Sequence, residues 1–184
     1  MPLSSNTPRL YVKLYLNQLK EGWPVNLHYR KFNWLYLLVF IIVVEGIGSL
    51  SALFAGNIQQ HYNSLTLPVL SPPDYLFGIV WPIFYALIGI SGYLIFLYTT
   101  KANRATNYTL FLLQLFINFA WSILFFNYNA YWIGFLVIIV LDLLVLLCIG
   151  QFYKTSKLAS LLLVPYLIWI VFASYLTIGV AILN

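Results

Sequence analysis

Long apolar segments alternate with short polar ones along most of the chain. Five of these segments contain no Lys or Arg, and each is long enough as a helix to cross about 30 Å of hydrocarbon. They are Trp34–Phe54, Tyr75–Thr99, Thr106–Asn127, Tyr131–Phe152 and Leu158–Leu183. The pattern predicts an all-α fold, a polytopic membrane protein built as a bundle of five transmembrane helices.

The connector between the first two segments, Ala55–Asp74, is rich in Pro, Ser and Asn, which predicts a structured loop. No motif recurs at a fixed period, so the internal duplication found in many transporters is not expected. We therefore expect one membrane domain, residues 34–184, preceded by a cytoplasmic N-terminal extension, residues 1–33.

Within that extension, Leu10–Glu21 has an amphipathic pattern, and Gly22 and Pro24 follow it as helix-ending residues. This pattern predicts a short interfacial helix. A membrane-surface anchor is the favoured role, with recognition of a partner or lipid as the alternative. No signal-peptide pattern precedes the first segment, which we expect to act as its own insertion signal.

Composition and charge agree with this fold class. Of the 184 residues, 62% are hydrophobic and 7% are charged, whereas a soluble domain has about a quarter charged residues. All nine Lys and Arg residues precede the first segment or lie in the second and fourth connectors. The positive-inside rule then places the N-terminus in the cytoplasm and the C-terminus across the membrane, and we expect a bacterial inner membrane. These basic residues lie beside the membrane, where they can interact with anionic lipid headgroups, so membrane lipid is the expected partner and nucleic acid is not.

Two carboxylates, Glu45 and Asp142, fall inside predicted spans. A charge at that depth is costly unless it faces protein or water, so both should point inward. They could form a proton or cation relay, or hydrogen-bond to a neighbouring helix. The second interpretation is favoured because relays usually contain more than two ionisable groups.

The chain contains no recognisable catalytic or metal-binding arrangement. His28 and His61 are predicted on opposite sides of the bilayer and cannot share a metal. Cys148 has no second thiol with which to form a disulfide. We expect no catalytic residue and no metal, and a binding protein rather than an enzyme.

Features of the spans themselves predict close packing and local distortion. Pro82 and Pro165 each remove an amide donor and predict kinks. Small residues that allow helices to approach closely recur in the first two spans, at Gly48, Ala52, Gly56, Ala86, Gly89 and Gly92.

Three spans also carry aromatic and polar side chains on one face, at 100° per residue. Such faces suit a cavity between helices that takes a flat, mostly apolar ligand. The alternative is an aromatic belt at the membrane surface, which fits residues at span ends such as Trp34 and Trp132. Trp81, Trp121 and Trp169 lie about two turns deeper, which favours a ligand-lining role.

Three ordered motifs carry a specific resemblance. They are S-P-P-D-Y-L-F-G-I-V-W-P-I-F-Y-A-L-I-G-I-S-G-Y at Ser71–Tyr93, Q-L-F-I-N-F-A-W-S-I-L-F-F at Gln114–Phe126, and P-Y-L-I-W-I-V-F-A-S-Y-L-T-I-G-V-A-I-L-N at Pro165–Asn184. In order and spacing they resemble the PPxWxFxxVWxxLYxxMG, NxxWSxxFF and PYLxWxxFAxxLN patterns of the translocator protein family, also called tryptophan-rich sensory proteins or TspO. The resemblance covers about Leu35 to Asn184.

The resemblance implies a five-helix bundle whose pocket binds tetrapyrroles such as protoporphyrin and haem, and sterols in some members, often as a homodimer. No cofactor is required, and porphyrin or haem would be a ligand. The family's pocket residues map onto Trp81, Tyr85, Asn118, Trp121, Trp169, Ala173 and Leu176. The first expectation is therefore a regulatory or sensory receptor, with the first loop as a lid over the pocket.

Two alternatives follow from the same residues. A small transporter of such ligands would couple to protons through Glu45 or Asp142. Light-driven porphyrin breakdown in some members depends on two tryptophans, and here Tyr75 replaces one of them while Trp169 retains the other. That photochemical activity ranks last.

Overall fold

The computed structural model describes residues 31–184, which form seven α-helices and no β-strand. Five helical stretches are long and apolar enough to span a membrane, and their ends lie within two residues of the predicted ones. The predicted five-span bundle is confirmed, whereas the predicted interfacial helix Leu10–Glu21 lies outside the described residues. The helices are α1 (Trp34–Ala55), α2 (Ile58–Ser64), α3 (Tyr75–Tyr98), α4 (Arg104–Ser122), α5 (Tyr131–Tyr153), α6 (Lys157–Leu162) and α7 (Val164–Leu183).

Polar side chains begin several of these helices. Asn33 Oδ1 accepts the N–H of Leu35 at 2.8 Å, and Asp74 Oδ1 accepts the N–H of Tyr75 at 2.7 Å. Each of these oxygens pairs with one of the backbone donors that the first turn of a helix leaves free. The first and second spans therefore start where a polar residue precedes an apolar run.

The spans form a ring in which α1 packs against α3 and α4, α4 against α5, and α5 against α7. The ring closes at α3, which packs against α6 and also meets α7 through aromatic contacts such as that of Phe84 with Trp169. Successive spans run in opposite directions, so the described Lys and Arg residues lie at one end of the bundle. The first loop and the C-terminus lie at the other end.

Small residues let α1 and α3 approach each other closely, as predicted. A Cβ at Gly89 would lie 2.8 Å from the Cα of Ile41 in the facing backbone. A Cβ at Gly48 would overlap the ring of Tyr85. These glycines are therefore required by the contact between the two helices.

The third and fifth spans depart from regular α-helix. The fifth is interrupted at Leu163, and Pro165 lies in the first turn of α7, so the predicted distortion there is confirmed. By contrast, α3 runs through Pro82 without a break, and a kink there stays a prediction. A π-helical turn, Ile123–Asn127, prolongs α4, and the sequence pattern did not indicate it.

Candidate functional site

A cavity of about 450 Å³ lies between the first three spans. Its walls include Glu45 and Gly48 from α1, Trp81 and Tyr85 from α3, and Trp121 from α4. Glu45 and Tyr85 each lie ten residues from the end of their helix that faces the first loop, which is about 15 Å at 1.5 Å per residue. The cavity therefore reaches from the first loop to the middle of the bundle.

One side of the cavity is open between α1 and α3. Four of its lining residues in this gap are exposed on the surface of the bundle, Ser49 and Ala52 of α1 and Gly78 and Pro82 of α3. A Cβ at Gly78 would meet nothing within 4 Å. Because this surface faces lipid in a membrane, a hydrophobic molecule could reach the cavity from the acyl-chain region.

The aromatic walls are held by ring stacking. Trp81 stacks on Tyr85 with ring centroids 5.4 Å apart and an interplanar angle of 27°. Trp121 stacks on Phe125 at 5.4 Å and 20°. The buried indole N–H of Trp121 has no hydrogen-bond partner among the described residues. The cavity thus offers flat apolar surfaces.

A buried hydrogen-bond chain fixes the inner end of the cavity. The hydroxyl of Tyr85 donates to Asn118 Oδ1 at 3.0 Å, and Asn118 Nδ2 donates to the hydroxyl of Tyr166 at 2.8 Å. All three side chains are buried. Asn118 therefore stands behind the cavity wall and sets the position of Tyr85.

The remaining predicted residues lie outside the wall of this cavity. Trp169 contacts Phe77 at 6.1 Å and Phe84 at 5.8 Å between ring centroids. Ala173 packs in the same hydrophobic cluster as Trp121, and Leu176 is buried. Of the seven predicted residues, the structure brings Trp81, Tyr85 and Trp121 together on the cavity.

Helix α2, within the first loop, covers the cavity from above. Ile58, Gln59 and Tyr62 line its upper part. The hydroxyl of Tyr62 donates to the carbonyl of Pro72 at 2.8 Å, and its ring meets Phe77 at 5.0 Å. The loop thus occupies the position expected of a lid.

Asp74 joins α2 to the start of α3. Its Oδ2 accepts hydrogen bonds from Asn63 Nδ2 at 2.8 Å and from Gln59 Nε2 at 2.7 Å. These donors favour the ionised carboxylate, so they lower the pKa of Asp74 below its ordinary value.

The second half of the loop is attached to the fifth span. Asn184 accepts the N–H of Thr66 at 2.9 Å and donates to its carbonyl at 3.0 Å. The hydroxyl of Tyr175 donates to the carbonyl of Val69 at 2.6 Å. The lid is therefore held at both its ends by polar contacts.

The two intramembrane carboxylates have different surroundings. Asp142 Oδ2 accepts a hydrogen bond from Ser174 of α7 at 2.7 Å, which is the interhelical bond expected from the sequence. Glu45 instead lines the cavity. Within residues 31–184, no group of three or more His, Cys, Asp or Glu side chains could hold a metal ion.

The fold and the cavity together define a class, a five-span helical membrane protein with an aromatic cavity between its helices. The family model described as TspO/MBR family matches residues 39–183. The chain belongs to this family, as its three motifs indicated.

Relatives support the same assignment. The chain is 41% identical to the tryptophan-rich protein TspO of Archaeoglobus fulgidus over 156 residues, covering 83% of this chain and 99% of that protein. It is 38% identical to the TspO of Chlorobaculum tepidum, covering 67% and 79% of the two chains. It is 29% identical to the translocator protein of Homo sapiens, covering 66% and 73%.

Proposed function

We propose that this protein is a membrane receptor for tetrapyrroles or similar flat, mostly apolar molecules, which it binds in the cavity beneath the first loop. The observation that carries the proposal is that tryptophans from two different spans, Trp81 and Trp121, line one cavity. Its volume of about 450 Å³ falls within the usual range for small-molecule sites.

Affinity would come mainly from burial of the ligand's apolar surface and from stacking. An aromatic pair in a favourable geometry adds about 0.5–1.5 kcal/mol beyond the area it buries. The lateral opening would admit a lipid-dissolved ligand, and the first loop would cover it once bound.

The test is a titration of the detergent-purified protein with protoporphyrin IX, followed by quenching of tryptophan fluorescence. We expect saturable quenching in the wild type and an affinity about tenfold weaker in Trp121→Ala, because one stacking surface is lost. Trp132→Ala is the matched control, since Trp132 is 59% exposed on α5 and lies away from the cavity. Unchanged affinity in both Trp81→Ala and Trp121→Ala would contradict the assignment of the cavity.

A second candidate function is transport of such ligands, and the position of Glu45 favours it. Glu45 is a carboxyl group on the cavity wall at mid-depth, whereas Asp142 is hydrogen-bonded to Ser174. A proton-coupled transporter should show ligand flux into proteoliposomes that Glu45→Gln abolishes and Asp142→Asn preserves. If the wild type binds the ligand but shows no flux, the receptor function stands and the transporter function is excluded.

A further inference from the structure

The charged residues that line the cavity are both acidic. Glu45 lies on its wall at mid-depth, and Asp74 lies at its upper rim. The Lys and Arg residues within the described part of the chain lie at the other end of the bundle, at Lys31, Lys101, Arg104, Lys154 and Lys157. The charge that these two side chains carry when ionised is therefore negative, which favours a cationic guest and disfavours an anionic one.

The two carboxylates are not equally available to a ligand. Asp74 already accepts hydrogen bonds from Gln59, from Asn63 and from the backbone of Tyr75. Glu45 has no hydrogen bond or ion pair with any described residue and is only partly exposed. A carboxylate at mid-membrane depth is costly until a donor satisfies it, so a bound N–H or ammonium group would relieve that cost.

Aromatic side chains line the same cavity as this carboxylate. Glu45 and Gly48 are three residues apart and so share one face of α1. The ring of Tyr85 lies directly against Gly48, which brings it to the level of Glu45. Trp81 stacks on Tyr85, and Trp121 lines the same space. Aromatic faces beside a carboxylate form the arrangement by which proteins bind ammonium groups.

We infer that the cavity selects flat ligands that present a protonated amine or another N–H donor to Glu45, and discriminates against ligands that present an anion there. This inference rests on the proposed function, and it narrows the chemistry of the ligand. The inner N–H groups of a metal-free tetrapyrrole are donors of this kind. Carboxylate substituents would have to lie toward the lateral opening, away from Glu45.

The experiment uses three probes with one ring system and different charges, namely pyrenemethylamine, which is protonated near neutral pH, neutral pyrenemethanol, and pyrenecarboxylate. Binding to the full chain in nanodiscs of zwitterionic lipid is measured by energy transfer from tryptophan to pyrene. We expect the wild type to bind the amine about tenfold more tightly than the alcohol, and the carboxylate most weakly. Glu45→Gln should bind amine and alcohol equally.

Asp142→Asn is the matched control, because it removes the other intramembrane carboxylate at a position outside the cavity, and it should keep the preference for the amine. Equal binding of amine and alcohol by the wild type would overturn the inference, and this comparison does not depend on how well a variant folds. A preference that survives Glu45→Gln would also overturn it. Either result leaves binding of flat ligands intact, whereas failure of neutral pyrenemethanol to bind would count against the proposed function itself.

Discussion

At the scale of single residues, Asn118 joins three spans at mid-depth. It accepts from Tyr85 of α3 and donates to Tyr166 of α7, and both partners are buried. Each hydroxyl would be costly to leave without a partner in a site that excludes water. The sequence placed Asn118 on a mixed aromatic and polar face of its helix, but it did not indicate which side chains it would meet.

The substitution Asn118→Leu tests how much these two hydrogen bonds stabilise the protein. It keeps the approximate volume and removes both hydrogen bonds, so we expect a loss of about 1–2 kcal/mol in stability. In a chain of this size that corresponds to a decrease in Tm of roughly 2–8 °C. Thermal unfolding of the detergent-purified protein, followed by tryptophan fluorescence, provides the measurement.

The same substitution at an exposed site is the control. Asn127→Leu changes an exposed asparagine at the end of the third span and should leave the Tm within about 1 °C. Equal melting temperatures for the two variants would show that the hydrogen bonds of Asn118 do not stabilise the packing of the three spans.

At the scale of elements, the first loop is the part of the site that depends most on polar contacts. The sequence predicted a structured loop from its Pro, Ser and Asn content, and the structure adds the short helix α2 within it. Asn57 begins this helix by accepting the N–H of Gln60 at 3.0 Å. A helix of seven residues is too short to be stable alone, so its contacts with Asp74 and Phe77 have to hold it in place.

The charge of Asp74 makes the attachment of α2 depend on pH. Because the pKa of Asp74 is lowered in the folded loop, its ionised form stabilises the loop above the ordinary Asp pKa of about 4. That stabilisation is lost as the pH falls through the lowered value. Asp74→Asn imitates the protonated form, and the backbone amides of α2 should exchange several-fold faster in the variant than in the wild type near neutral pH.

Hydrogen–deuterium exchange read by mass spectrometry measures this effect. The difference between wild type and Asp74→Asn should vanish at a pH low enough to protonate Asp74, because both side chains are then neutral. Asp142→Asn is the control, because Asp142 is hydrogen-bonded to Ser174 between α5 and α7. The amides of α2 should exchange in this variant as they do in the wild type. Identical exchange of the α2 amides in the wild type and in Asp74→Asn at neutral pH would rule out Asp74 as the residue that holds α2 in place.

At the scale of the whole molecule, the arrangement of charge separates the two ends of the bundle. The described basic residues lie at the end opposite the first loop. The positive-inside rule places that end in the cytoplasm and the cavity's lid on the other side. This orientation, and the bacterial inner membrane as the location, stay predictions.

The number and limits of the spans were predictable from the chain alone, because an apolar run of sufficient length has few alternatives to a transmembrane helix. The small residues at Gly48 and Gly89 and the distortion near Pro165 were predictable for the same local reasons. The motifs were also sufficient to indicate the TspO/MBR family, which the family model confirms.

Which residues line the cavity depends on how the helices are placed around one another. A repeat of 100° per residue groups side chains on one face but does not say which neighbour that face meets. Glu45 thus faces the same space as Trp81 and Trp121, while Trp169 packs against Phe77 and Phe84 instead. The π-helical turn at Ile123–Asn127 shifts the face of the third span. Such shifts arise from contacts between helices, and a one-dimensional pattern does not contain them.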